Sequence, residues 1–137
     1  MSRKPPKNFE WEAFDSPGAP GSGRRHMAKK TLKKLGRARK LAGVPFIITS
    51  AYRTPSYNTE IGGVEGSAHT NGRAVDISIK GMPWARVVLI LVALVLGGFR
   101  RIGLAKSFVH ADDDPDKPKN DYGIATWDYM DDERHKA

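Results

Sequence analysis

A histidine and an aspartate separated by a short polar turn form the chemically most capable pair in this sequence. In residues 67–77, SAHTNGRAVDI, His69 precedes the turn Thr70, Asn71, Gly72, and Asp76 follows it. Beyond the turn the pattern is that of a strand. Ala74, Asp76 and Ser78 alternate with Val75, Ile77 and Ile79, and side chains alternate between the faces of an extended chain. Asp76 is therefore expected on a strand, and His69 on the loop leading into it. A neutral imidazole and a carboxylate are two of the three protein ligands of an open, catalytic-type zinc site.

The third ligand must come from elsewhere in the chain. Of the four histidines, His26 lies in the basic run GRRHM and His135 in the polar segment DDERHKA, both poor places for a rigid ligand. His110, in FVHADDD, is left, so His69, Asp76 and His110 are the candidate metal set. The competing reading is an ordinary hydrogen-bonded His–Asp pair without an ion. Cysteine is absent, which excludes disulfides and thiolate ligands and leaves nitrogen and oxygen donors.

Several elements must hold these residues. Residues 27–42 carry Ala28, Leu32, Leu35, Ala38 and Ala42 at helical spacing, with lysines and arginines over the rest of the surface. Gly43 and Pro45 stop that helix. Residues 46–50, FIITS, read as a buried strand that delivers Arg53 to its end. An arginine there suits a terminal carboxylate, because its planar fork makes two parallel hydrogen bonds; a surface arginine before Pro55 is the alternative. Residues 54–66 form a turn with room for one helical turn. Residues 84–99, WARVVLILVALVLGGF, predict a buried helix ended by Gly97 and Gly98. Its uninterrupted apolar run is about half of the ~20 residues a membrane span requires, so no membrane span is expected. Residues 99–104 and 107–112 predict two strands joined by a tight turn near Ala105 and Lys106. On the second, Phe108, His110 and Asp112 share a face. Residues 124–127 predict an edge strand.

A chain of 137 residues with a formal charge of +8 fits one domain with a core of its own. The charge points to an anionic partner without naming a reaction. Residues 1–8 are expected as a disordered basic arm, 9–127 as the domain, and 128–137 as a mobile polar tail. The arm lacks the apolar run and cleavage site of a secretory signal. GxGxxG and P-loop spacings are absent, as is the calcium-loop spacing after Asp113, Asp114 and Asp116.

The run ITSAYRTPSYNTEIGGVEGSAHTNGRAVDI, followed by GFRRIGLAKSFVHADDD, resembles the zinc D-alanyl-D-alanine peptidase family of cell-wall carboxypeptidases, dipeptidases and phage endolysins. FDSPGAPGSG and HADDDPDKPKN are also similar to segments of the small peptidases of single-stranded DNA phages. The likeness spans residues 9–127. It implies the hedgehog/DD-peptidase fold, an α+β domain with a small, mostly antiparallel sheet and packed helices. It implies one zinc ion on His69, Asp76 and His110, with Arg53 holding a substrate carboxylate and Ser67 contacting substrate near the scissile bond. The substrate implied is the D-amino-acid-containing stem peptide of peptidoglycan. The chain is expected to be a monomer without a stable nucleic-acid partner, made in a host cytoplasm and acting on the wall at phage lysis.

One departure from the family matters. Many relatives place an acidic base three residues before the second zinc histidine, where this chain has Ser107. Asp112, on the same strand face as His110, is the expected replacement, with Asp114 second. Without a working base the chain would be an inactive, zinc-stabilised wall-binding module. A basic nucleic-acid-binding protein is the third reading.

Overall fold

The computed structural model describes residues 3–119 and 123–128. A 3-10 turn, Trp11–Phe14, opens the chain, followed by helices α1 (Ser22–His26) and α2 (Lys29–Ala42). Strand β1 (Ile48–Ser50), helix α3 (Pro55–Glu60) and strand β2 (Ala74–Ser78) come next. Helix α4 (Trp84–Gly97) precedes strands β3 (Arg101–Leu104), β4 (Phe108–Asp112) and β5 (Ala125–Asp128). The five strands form one sheet in the order β1-β2-β4-β3-β5. All pairings are antiparallel except β3 with β5, which is parallel. The mostly antiparallel α+β expectation holds.

Helix α2 starts two residues later than its periodicity suggests. Ala28 is extended, with φ −67° and ψ 135°, and its N–H goes to the carbonyl of Gly72 at 2.9 Å, tying the helix start to the turn after His69. At the other end Gly43 takes a left-handed φ of 67° and closes on the carbonyl of Arg39, the usual role of glycine there. Leu32, Leu35, Ala38 and Ala42 are buried as expected. In α3, Thr54 caps Tyr57 N and Pro55 occupies the first turn, so residues 54–66 contain a real helix.

Helices α2 and α4 pack together at Gly97, where an added Cβ would stand 2.9 Å from that of Ala38. The sheet turns Val75, Ile77, Val109, Ala111 and Ile102 into the apolar core with Leu35, Ile90 and Leu94. Burial of α4 is one-sided, which corrects the expected buried helix. Val87, Ile90, Ala93, Leu94 and Gly97 are inside; Trp84 and Leu96 are 62% and 65% exposed. No helix among the described residues is long and apolar enough to cross a membrane.

Residues 3–8 of the arm lie along the body of the domain. Arg3 donates to the carbonyls of Arg24 and Met27, and Pro6 lies against Gly36 of α2. The polar tail beyond Asp128 falls outside the described residues.

Candidate metal centre

One row across the sheet builds the site. Ser50 pairs with Asp76, Asp76 with His110, His110 with Gly103, and Gly103 with Trp127. Cross-strand partners lie close enough for their side chains to meet, so two residues 34 positions apart become neighbours. The Trp127 ring stands 5.5 Å from that of His110, centroid to centroid, with the side-chain-free Gly103 between them in register.

His69 comes from the loop, and the loop is held at several points. Its N–H donates to Ser67 Oγ at 3.1 Å, which restrains the loop backbone. Its carbonyl takes the N–H groups of Arg53 and Gly72, both at 3.2 Å. Gly72 has φ +68°, and a Cβ there would fall 2.0 Å from the carbonyl oxygen of His26. Only glycine fits a left-handed position under so close a backbone.

The three candidate ligands converge, each fully or almost fully buried. Their donor atoms lie within 4.8 Å of one another. His69 Nε2 is 3.2 Å and His110 Nδ1 is 3.0 Å from the same oxygen, Asp76 Oδ1. Zinc bonds of 2.0–2.1 Å in a tetrahedron put ligand atoms about 3.3 Å apart, so the two spacings to Asp76 Oδ1 suit the ion. Tautomers make the case sharper. His69 Nδ1 donates to the carbonyl of Ala51 at 2.7 Å, and His110 Nε2 donates to Asp112 Oδ2 at 2.7 Å. Each neutral ring is then left with a lone pair on the nitrogen that faces Asp76 Oδ1. Three acceptors aimed at one another in a buried space require a cation or a proton between them.

Outer partners fix each candidate ligand, an arrangement that metal ligands generally require. Arg53 is wholly buried and spreads its guanidinium over Ser50 Oγ (3.0 Å), Asn58 Oδ1 (3.1 Å) and Asp76 Oδ2 (3.4 Å). It meets the aspartate at Oδ2, the oxygen other than the one the histidines share. Ser67 is buried in the turn, its hydroxyl accepting the His69 N–H. Asp112 sits at the ring nitrogen of His110 turned away from Asp76, and its carboxylate is gripped by Arg101 Nε at 3.0 and 3.2 Å. Asp114 is engaged too, accepting from Asn71 Nδ2 at 2.9 Å and from Asp116 N at 3.0 Å.

Sequence reasoning passed over Arg101. It pairs with Asp112 in the β3–β4 register, whereas a turn centred on Ala105 and Lys106 would have set Phe99 opposite Asp112. Its guanidinium also lies 4.8 Å from the Trp127 ring centre.

Protonation follows from these contacts. Burial lowers the pKa of His69 below its ordinary value, despite the opposing pull of Asp76. For His110 burial acts in the same direction, but hydrogen bonds to Asp112 and Asp76 and their charges outweigh it and raise the pKa. Burial would raise the carboxyl of Asp112; the His110 hydrogen bond and the charges of His110 and Arg101 bring it below the usual range.

A family model described as Peptidase M15 matches residues 10–112. That match runs from the 3-10 turn through β4 and includes every residue of the cluster. Among curated proteins, no match is found.

Proposed function

The chain belongs to the peptidase M15 family of zinc-dependent peptidases, and we propose that it hydrolyses D-amino-acid-containing stem peptides of peptidoglycan with one zinc ion on His69, Asp76 and His110. The observation that carries this reading is the meeting of two imidazole lone pairs and one carboxylate oxygen at a buried point. Zinc supplies Lewis-acid chemistry to such a set, activating water and polarising a peptide carbonyl.

The chain's own residues do the positioning. Asp76 turns Oδ1 to the histidines while Arg53 holds Oδ2, which fixes the carboxylate in orientation. The Ala51 carbonyl selects the tautomer of His69, and Asp112, backed by Arg101, selects that of His110. We assign Asp112 to this orienting role instead of the role of base, since its oxygens are already committed to His110, Arg101 and the N–H of Asp114.

That commitment of both Asp112 and Asp114 favours a second reading, a zinc-stabilised wall-binding module without turnover. One experiment separates them. Zinc-loaded protein incubated with defined muropeptides should release D-alanine or a cut stem peptide, read by mass spectrometry, and the product mass identifies the bond. Zinc bound at one equivalent with every muropeptide intact would establish the inactive module.

A further inference from the structure

A basic groove of about 650 Å3 runs between the N-terminal arm and the outer face of α2. None of its lining residues belongs to the metal cluster or its supports. From the helix come Lys29, Lys33, Arg39 and Lys40, and from the arm Arg3, Lys4 and Lys7. No acidic and no aromatic side chain lines it among the described residues.

Helix geometry explains the alignment. Lys29, Lys33, Gly36 and Lys40 recur at intervals of four, three and four, which puts them on one face. Pro6 lies on Gly36, where even a Cβ would come within 3.3 Å of it, so the arm can rest along that face. Arg3 anchors the arm through the carbonyls of Arg24 and Met27 and sits 5.3 Å from the ring centre of Trp11. Laying a basic arm along a basic helix brings like charges together at a Coulombic cost. Nothing negative in the groove offsets that cost, whereas a bound polyanion would.

We propose that this groove binds a phosphodiester chain without bases, a polyol-phosphate polymer. The stretch from Lys29 to Lys40 spans about 16 Å of helix, longer than a single small anion and suited to successive charges on a chain. Nucleic acids bound as single strands use aromatic platforms for their bases, and this groove has none. Leu32, Pro6 and Gly36 instead supply an apolar floor against which the carbon backbone of a polyol can lie.

The test titrates the full chain with synthetic poly(glycerol phosphate) by calorimetry, from about 50 to about 200 mM salt. Affinity should fall linearly on a log–log plot as salt rises. The double variant Lys33→Gln/Lys40→Gln should bind about tenfold more weakly or worse and flatten the slope by about one to two, with Tm and zinc affinity unchanged. Lys80→Gln/Lys106→Gln removes the same charge elsewhere and should leave binding intact. Equal losses in the two variants would reduce the effect to net charge and overturn the proposal, as would no binding at the lowest salt. Tighter binding of an oligonucleotide with the same number of phosphates would overturn the choice of a base-free chain. Loss of binding on chelation, with the circular dichroism unchanged, would place the polymer on the metal cluster and likewise sink the groove.

Discussion

At Asp112 the proposed orienting role rests on a single contact, that of its Oδ2 with His110 Nε2. Sharing a strand face with His110 made it the natural base, but the imidazole stands between it and the point where the ligands meet. An orienting carboxylate and a base predict different phenotypes. Asp112→Asn should weaken zinc binding 10- to 100-fold, measured by competition with a chromophoric chelator, while turnover per zinc-loaded molecule changes little. A base would show the reverse. The raised pKa of His110 adds a pH dependence. Zinc needs the neutral imidazole, so affinity should be level above that raised value and fall as pH drops through it, beginning above about 6.5. In Asp112→Asn the fall should begin at lower pH. For the metal-free protein the sign is opposite: the contribution of His110 to stability is full below about 6.5 and lost as pH rises through the folded pKa. Arg53 belongs to the same scale. Its removal in Arg53→Ala leaves the buried Asp76 carboxylate without its cation, and denaturant unfolding of the metal-free protein should show a loss of about 3 kcal/mol or more.

Pairs of elements, and not individual strands or helices, set the geometry of the site. The antiparallel β2–β4 register makes Asp76 and His110 direct partners, and the β3–β4 hairpin puts Arg101 opposite Asp112. Behind the sheet, α2 and α4 meet at Gly97, which has Ala38 Cβ and the Lys34 carbonyl 2.9 Å from where its own Cβ would be. Gly97→Ala should therefore force the helices apart and destabilise the fold by about 1–3 kcal/mol in a denaturant melt. Zinc affinity should hardly change, because the cluster is on the opposite face of the sheet from these helices. Helix α2 was readable from apolar spacing at 3.6 residues per turn, and α4 from its long apolar run. The one-sided exposure of α4 was not, since its sequence is apolar all round and periodicity cannot say which side a neighbour covers.

For the molecule as a whole, an ion that binds only the folded chain adds to its stability. At a free zinc concentration a hundredfold above Kd the gain is about 2.7 kcal/mol, which for a domain of this size raises Tm by roughly 10 °C. Differential scanning calorimetry with zinc and then with excess chelator should show that rise and its reversal. No rise at saturating zinc would mean the buried acceptors are reconciled by a proton alone.

The sequence by itself determined which side chain types could ligate a metal, the strand that carries Asp76, the absence of thiolate chemistry and the basic face of α2, because these depend on residue identity and on local periodicity. Which residues support the candidate ligands was decided only by the tertiary structure. Arg53 behind Asp76, Asp112 and Arg101 behind His110, and the arm laid on α2 all join positions distant in the chain or set the direction in which a side chain points. Neither is encoded in spacing along one strand. Both follow from how the strands register and how the loops close over them.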